Sequence, residues 1–345
     1  MKNKVLAFMI CGAMVASMAG CNKKDTNNNQ LVQEQTSQEE SKENVKIQLG
    51  HVYSAPHGTK GFAIASAVVC GNTILDAYID EFQFFNTEDD VVGVPNSDSD
   101  FGAGYSKGNV LGTKRENSDY YSNLMKERAG STVKIDDNFD AIVSYVKGKT
   151  IEELEADIQK EDLVDAVSGA TLADTSSYIA TIIDAAKNAL NNEQVEFTGD
   201  ISTLRLNTSY GAPHGTKSFA VATTLVSEQK IELSYIDEFQ FMEKEDGIVG
   251  VPNSDAEFSN GYAEGQVLAS KRMNAEYYSN LMKEIAGSTV SIDKNYDAIQ
   301  NHLNGMSIDQ AIEFTKNENQ VDAISGATLA DTAGYVSLIV ETARK

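Results

Sequence analysis

The heptapeptide Tyr78-Ile79-Asp80-Glu81-Phe82-Gln83-Phe84 occurs a second time, without a change, at positions 235–241. The two copies lie 157 positions apart, and the same offset relates the hexapeptide Ala-Pro-His-Gly-Thr-Lys at 55–60 to its copy at 212–217. A constant offset means that no insertion separates the two halves. A repeat of this length has the size of a domain and is far longer than a solenoid repeat, so the sequence predicts a tandem domain duplication.

Apolar and polar residues alternate through this stretch, which is typical of a β-strand. In the second copy, six residues are expected on one face of the strand: Ile231, Leu233, Tyr235, Asp237, Phe239 and Phe241. With the apolar segments that precede them, the two copies predict a hairpin of 62–69 with 74–84 and a hairpin of 219–226 with 231–241. Each unit is therefore expected to contain an antiparallel sheet.

Helix signals follow the hairpin in each unit. The predicted starts are the N-cap residues Asn117 and Asn274, a helix from Asp137, and capping boxes at Thr150 and Ser307. Gly130 is expected to end the first helix, and the last helix of each unit is predicted over 172–189 and 329–343. The sequence thus predicts an α+β fold, in which each unit is a small antiparallel sheet with packed helices.

The N-terminus has the pattern of a secretory signal peptide over residues 1–20: two lysines, then an apolar run, then small residues. Ser17-Met18-Ala19-Gly20-Cys21 resembles a bacterial lipobox, which implies cleavage before Cys21 and attachment of a diacylglyceryl group to its thiol. Ordinary signal cleavage near Ala19 is the alternative. Because two acyl chains hold a protein on a membrane, we expect a protein anchored to the lipid bilayer at the extracytoplasmic face of the cell membrane.

Residues 21–46 are rich in Asn, Gln, Glu and Ser and contain almost no apolar side chain. Such a segment cannot bury enough surface to offset chain entropy, so it is predicted to be a disordered tether. A first domain is then expected at 47–193 and a second domain at 194–345. The formal net charge of −23 argues against nucleic-acid binding.

A second repeated stretch carries the candidate chemistry. Asp165-Ala166-Val167-Ser168-Gly169-Ala170-Thr171 and Asp322-Ala323-Ile324-Ser325-Gly326-Ala327-Thr328 each precede the last predicted helix of their unit. Backbone N–H groups and the helix dipole favour a phosphate at such a point, and an exposed Thr hydroxyl there can also be esterified by a phosphate-bearing group. The alternative is structural: a helix N-cap with a glycine in a tight turn.

The pattern Asp-x-x-Ser-Gly-Ala-Thr resembles the flavinylation motif of the FMN-binding domain family, and both copies match it at every motif position. In that family a flavin transferase moves FMN from FAD onto the last threonine as a phosphoester. The resemblance implies two covalent FMN groups, on Thr171 and Thr328. It also implies that the other motif residues bind the cofactor, namely Asp165, Ser168, Gly169, Ala170, Asp322, Ser325, Gly326 and Ala327.

Taken together, the signal peptide, lipobox, polar tether and two such domains resemble the flavinylated, pheromone-encoding lipoproteins of extracellular electron transfer in Gram-positive bacteria. The resemblance implies an electron carrier that is reduced by a membrane quinol-oxidising partner and oxidised by soluble or mineral acceptors such as ferric iron. Two other functions remain open: a non-redox binding or adhesion lipoprotein, and a flavin-dependent reductase. The nicotinamide-binding fingerprint Gly-x-Gly-x-x-Gly after a strand does not occur in the sequence.

Several recurring polar and aromatic residues are weaker candidates. His57, His214, Lys60 and Lys217 lie in the repeated hexapeptide and are expected either to face the phosphate or flavin ring or to stabilise the turn. A helical stripe of Tyr120, Tyr121, Met125, Tyr277, Tyr278 and Met282 offers stacking surfaces for a flavin but is more typical of a core.

Two further acidic features call for an interpretation. Asp80 and Asp237 fall on an otherwise apolar strand face, where a buried carboxylate needs a partner such as a backbone N–H, a lysine or a flavin hydroxyl. The acidic loop at 96–100 lacks the glycine and distal glutamate of a calcium loop in both copies, so it is interpreted as a solvated turn. No metal site is predicted.

Overall fold

The computed structural model of the protein describes residues 43–245 and 247–345. The predicted signal peptide, Cys21 and residues 21–42 of the predicted tether lie outside the described residues. The last four residues of that tether, 43–46, are the start of the first strand, where Val45 pairs with Phe197. The side chains of Asn44 and Lys46 are exposed, so backbone pairing rather than burial of these side chains places them in the sheet.

The strands of the described chain are β1 (Glu43–Ser54), β2 (Gly61–Cys70), β3 (Thr73–Asn86), β4 (Asn109–Thr113), β5 (Val195–Gly199), β6 (Arg205–Gly211), β7 (Ser218–Ser227), β8 (Lys230–Glu243) and β9 (Gln266–Ser270). The α-helices are α1 (Ser118–Ala129), α2 (Ile135–Val146), α3 (Ile151–Asp157), α4 (Leu163–Ala166), α5 (Thr175–Ala189), α6 (Ala275–Ala286), α7 (Ile292–Leu303), α8 (Ile308–Thr315), α9 (Gln320–Ala323) and α10 (Thr332–Ala343).

The strands form two antiparallel sheets. The first has the strand order β4-β3-β2-β1-β5 and the second has the order β6-β7-β8-β9. Both predicted hairpins are present, as β2–β3 and β7–β8. Strand β5 follows the last helix of the first repeat and pairs with β1 at the edge of the first sheet. The predicted α+β class, with antiparallel sheets and packed helices, is confirmed.

A β-bulge in each hairpin changes the face on which the strand residues lie. In the second sheet Leu225 pairs with Leu233, but the next residue, Val226, pairs with Ile231. Ile231 lies in the core on the helix side of the sheet, whereas Leu233 lies in the cluster on the opposite face. The prediction that Ile231 shares a face with Leu233 is therefore wrong, because one extra residue reverses the alternation of the strand.

Helices cover the outer face of each sheet. The largest side chains in the two helix-side cores are aromatic, with Phe139 and Tyr178 in the first repeat and Tyr296 and Tyr335 in the second. All four are almost fully buried. Since burying one large apolar side chain contributes about 1.5–3 kcal/mol, these residues hold the helices firmly on their sheets.

Most of the predicted helix signals are present. Gly130 ends α1 in the left-handed conformation, with φ at 68°, and Thr150 and Ser307 form complete capping boxes. Asn117 is the N-cap residue of α1, but its side chain makes no capping bond. Its amide instead accepts from and donates to the backbone of Val92, so it holds a loop rather than the helix end.

The inner faces of the two sheets pack against each other through phenylalanine rings. The ring centroids of Phe82 and Phe219 lie 5.7 Å apart, and those of Phe62 and Phe239 lie 5.8 Å apart. Residues of both repeats thus form one buried cluster, and the described residues form a single compact unit. In this part of the chain, no helix combines the length and the apolar character that a membrane span requires.

Candidate functional site

In each repeat the Ser-Gly-Ala-Thr stretch forms a turn between a four-residue helix and the last long helix. Gly169 and Gly326 adopt φ angles of 94° and 92°, which side-chain-bearing residues rarely adopt. A Cβ atom at these positions would also lie 3.4 and 3.3 Å from the methyl groups of Ala141 and Ala298. The backbone conformation of the turn therefore requires glycine at both positions.

The other motif residues are divided between core and solvent. Ala170 and Ala327 are buried in the helix-side cores. The remaining side chains of the motif are exposed, namely Asp165, Ser168, Thr171, Asp322, Ser325 and Thr328. The buried alanine ties the turn to the core and leaves the threonine that follows it in contact with solvent.

The last helices begin later than predicted. Helices α5 and α10 start at Thr175 and Thr332, three residues after the predicted starts at Leu172 and Leu329. The carbonyl oxygen of Leu172 accepts hydrogen bonds from both the backbone N–H and the hydroxyl of Thr175. This turn separates the motif from the helix, so each motif threonine lies just before the helix and not in its first turn.

A buried asparagine that the sequence patterns did not indicate holds each threonine. Asn138 Oδ1 accepts from the backbone N–H of Thr171 over 2.6 Å and from its hydroxyl over 3.3 Å. Asn295 makes the same bonds to Thr328, over 2.6 and 3.1 Å. The sequence does carry one signal for this role: an asparagine, which helices disfavour, occurs at the same position of a predicted helix in both units.

Each motif threonine lies at the edge of an open cleft. The cleft at Thr171 has a volume of about 860 Å³ and the cleft at Thr328 about 460 Å³. Half-buried aromatic and methionine side chains line them, with Tyr120, Tyr121 and Met125 in the first and Tyr278 and Met282 in the second. Tyr121, Met125, Tyr278 and Met282 also pack against the helix-side cores. Tyr277 packs instead against the phenylalanine cluster between the two sheets.

Both predicted histidines reach these clefts and bind an aspartate there. His57 Nδ1 lies 2.6 Å from Asp174 Oδ2, and His214 Nδ1 lies 2.7 Å from Asp331 Oδ2. Each aspartate is the N-cap residue of the helix that follows the motif. A carboxylate at Nδ1 orients the imidazole ring and directs Nε2 away from the aspartate.

The two lysines of the repeated hexapeptide differ in their surroundings. Lys60 lines the first cleft, with its ammonium 3.7 Å from a carboxylate oxygen of Glu257. Lys217 lies instead in a separate depression beside Asp100 and Phe241. The structure thus brings Lys60, but not Lys217, to a threonine cleft.

The backbone that follows each cleft histidine is bound by an asparagine side chain of the other repeat. Asn96 Nδ2 donates to the carbonyl oxygens of Gly215 and Ser218 over 2.8 and 2.7 Å. The equivalent bonds run from Asn253 Nδ2 to Gly58 and Gly61 over 2.9 and 2.6 Å. The loop that begins at Asn96, interpreted from the sequence as a solvated turn, is therefore a contact between the repeats.

A buried ion pair, also not indicated by the sequence patterns, lies beside each cleft. Lys114 Nζ is 2.9 Å from Glu81 and Lys271 Nζ is 2.6 Å from Glu238, and these side chains are at most 2% exposed. Burial is the largest single effect and lowers the pKa of Lys114, but the contributions of Glu81 and Tyr121 together outweigh it and the pKa is raised. Both lysines, which line the clefts, therefore carry a positive charge at neutral pH.

The buried carboxylates of Asp80 and Asp237 accept hydrogen bonds from tyrosine hydroxyls and backbone N–H groups. Asp80 accepts from the Tyr210 hydroxyl over 3.0 Å and from the N–H of Glu81 over 2.8 Å. Asp237 accepts from the Tyr53 hydroxyl over 2.6 Å. Burial raises the pKa of both carboxyls. These residues lie between the sheets and act in the contact between the repeats.

Across residues 43–245 and 247–345, no group of three or more His, Cys, Asp or Glu side chains is arranged to hold a metal ion.

The candidate site is a pair of clefts, each with an exposed threonine, a histidine–aspartate pair, an aromatic wall and a buried lysine. Comparison of the chain with models of known protein families, with curated proteins and with solved structures finds no match.

Proposed function

We propose that this protein is an electron carrier with two FMN groups, esterified to Thr171 and Thr328 and attached by a flavin transferase. Cys21 anchors it to the extracytoplasmic face of the cell membrane. It takes electrons from a quinol-oxidising membrane partner and passes them to soluble or mineral acceptors such as ferric iron. One observation carries the proposal: in both repeats the motif threonine is exposed at the edge of an aromatic-lined cleft.

The residues present fit a flavin mononucleotide at both positions. Small-ligand pockets typically measure about 300–1,000 Å³ and combine apolar and aromatic walls with a few polar groups. The clefts, of about 860 and 460 Å³, fall within that range. Tyr121 and Met125, or Tyr278 and Met282, offer flat or adaptable apolar surfaces suited to a planar ring system.

A bound flavin would supply the one- and two-electron chemistry that the side chains of the clefts lack. Thr171 and Thr328 would hold its phosphate through Oγ1. Lys114 and Lys271, each in a buried ion pair with a glutamate, would offer ammonium N–H donors to the cleft. A covalent link suits a carrier outside the cell, since it keeps the cofactor at a fixed effective concentration.

The test is to produce the full chain with and without a flavin transferase and to record its visible spectrum and its intact mass after denaturation. With the transferase we expect two FMN adducts. Thr171→Ala and Thr328→Ala should each remove one adduct, and the double variant should remove both. Thr132→Ala is the matched control, because Thr132 is another exposed threonine of the first cleft, and both adducts should remain. Colourless, unmodified wild-type protein would overturn the proposal.

A further inference from the structure

We propose that Asn138 and Asn295 are positioning residues, which hold Thr171 and Thr328 in the arrangement that is esterified. This inference rests on the proposed function, since it concerns how the same two sites are built. The juxtaposition that carries it is a fully buried amide in contact with both the backbone and the hydroxyl of an exposed threonine.

The amide of Asn138 joins two separate segments. Its Nδ2 donates to the carbonyl oxygens of Lys134 and Val133 over 2.7 and 3.3 Å, just before helix α2. Its Oδ1 accepts the backbone N–H of Thr171 over 2.6 Å. Because the asparagine is fully buried, water does not compete for these bonds, and the motif turn is tied to the start of α2.

The second repeat reproduces this arrangement. Asn295 Nδ2 donates to Ser291 and Val290 over 2.9 and 3.2 Å, and its Oδ1 accepts the N–H of Thr328 over 2.6 Å. The residues that flank the asparagine differ between the repeats: Asp137 and Phe139 in the first, Lys294 and Tyr296 in the second. The bridge therefore does not depend on the identity of its neighbours.

The two bonds from Thr171 to Asn138 differ in strength. The N–H bond of 2.6 Å is short, whereas the hydroxyl bond of 3.3 Å exceeds the usual O–H···O range and is weak. The short bond fixes the backbone of the residue that reacts, two positions after a glycine with φ of 94°. The weak bond restricts the hydroxyl without locking it, so little is lost when its proton leaves.

The esterification step is consistent with this division. The Oγ1–H bond of Thr171 breaks and an Oγ1–P bond forms, while the pyrophosphate P–O bond of FAD breaks and AMP leaves. The hydroxyl proton passes to a base of the transferase. After the reaction Oγ1 no longer donates to Asn138, but the backbone N–H still does, so the asparagine holds the turn before and after modification.

The experiment measures the initial rate of flavin attachment at each threonine of the full chain, by peptide mass analysis after incubation with FAD and limiting transferase. Loss of one hydrogen bond is worth about 1.4 kcal/mol, or roughly tenfold in rate. We expect Asn138→Ala to slow attachment at Thr171 about tenfold and to leave Thr328 unchanged. Asn295→Ala should do the reverse. Asn138→Asp keeps the acceptor oxygen but loses the Nδ2 donor to Lys134 and Val133, so it should restore only part of the rate.

Hydrogen exchange of the Thr171 amide in the unmodified protein provides a second measurement. Asn138→Ala should accelerate exchange there, and Asn138→Asp, which keeps the acceptor, should accelerate it less. Unchanged attachment at Thr171 in Asn138→Ala, or equal slowing at both threonines, would overturn the positioning role. If wild-type protein accepts no flavin, the proposed function fails, and unchanged exchange in Asn138→Ala would then overturn the positioning role separately.

Discussion

Tyr210 of the second repeat donates a hydrogen bond over 3.0 Å to Asp80 of the first, between the two sheets, where Asp80 is fully buried and Tyr210 half-buried. The reciprocal bond, from Tyr53 to Asp237, measures 2.6 Å. Each repeat thus supplies a hydroxyl to the buried carboxylate of the other. The two repeats are therefore held together by these polar contacts as well as by the phenylalanine cluster.

The crossed bond leads to a prediction for Tyr210→Phe. Removing the hydroxyl leaves the buried carboxylate of Asp80 with one partner fewer, so we expect a loss of about 1–3 kcal/mol in the free energy of unfolding. Urea unfolding followed by circular dichroism measures it. Tyr277→Phe is the control, because its hydroxyl lies 3.5 Å from Glu245 near the surface, and its effect should stay within about 0.5 kcal/mol. Equal effects of the two variants would contradict the prediction.

A second prediction concerns Gly261, where the backbone of the second repeat packs closely on a phenylalanine of the first. A Cβ at this position would lie 2.1 Å from Cδ2 of Phe84 in the other repeat. Gly261→Ala should therefore destabilise the protein by about 1–3 kcal/mol through overpacking. Replacing Phe84 by Ala in the same chain removes the ring atoms Cδ2, Cγ and Cε2, which would lie 2.1, 2.3 and 2.4 Å from that Cβ. The double variant should therefore lose less stability than the sum of the two single variants. Additive losses would contradict the expected contact.

The buried pair of Lys114 and Glu81 supports a third prediction. Lys114→Met leaves an unpaired buried carboxylate and should lower the free energy of unfolding by about 3–5 kcal/mol. Adding Glu81→Gln removes the unpaired charge and should recover most of that loss. The comparison is Lys134→Met, which breaks an exposed pair with Asp119 and should leave the free energy of unfolding nearly unchanged, because solvent screens that pair. Denaturant titration of the three variants checks the order.

The fourth prediction concerns pH and His51, which stacks on Tyr235 of the other repeat with ring centroids 4.2 Å apart. Burial, with a contribution from Arg272, lowers the pKa of His51 from 6.5 to about 3. The unfolded chain binds a proton below pH 6.5 and the folded chain does not, so stability is full above pH 6.5 and falls between about pH 6.5 and 3.

Protonation of this histidine in the unfolded chain should cost about 3 kcal/mol of stability at pH 4.5 relative to pH 7.5. His51→Thr removes the titrating group and introduces the residue that the second repeat carries at Thr208. Urea unfolding midpoints at the two pH values test this, and the variant should show the smaller decline at acid pH. A decline equal to that of the wild-type protein would show that His51 does not titrate as expected.

The last prediction concerns the motif glycine. Gly169→Ala places a side chain at φ of 94°, which stores about 1–3 kcal/mol of backbone strain in the turn. We expect reduced flavin attachment at Thr171 and normal attachment at Thr328. Gly148→Ala is the matched control, since Gly148 has φ of 79° with no atom within 4 Å of its Cβ position. It should carry a comparable strain and leave attachment at both threonines unchanged.

The features that could be predicted from the sequence depend on local patterns. Alternating residues predict the hairpins, Gly130 predicts the end of α1, and the capping boxes predict α3 and α8. The incorrect placement of Ile231 also has a local cause, since a bulge is one extra residue that alternation does not reveal. Asn117 shows the limit of predicting helix caps from residue type, because its side-chain amide binds the backbone of Val92 in a loop and makes no capping bond.

By itself the sequence determined that the chain is a duplicated α+β unit with a Ser-Gly-Ala-Thr turn before the last helix of each copy. Only the tertiary structure decided that Asn138 meets Thr171, 33 positions away, and that His57 meets Asp174 across 117 positions. It also decided that Lys60 lines a threonine cleft while Lys217 does not. The physical reason is that these contacts depend on how helices pack on the sheets and how the two sheets face each other, which no local pattern encodes.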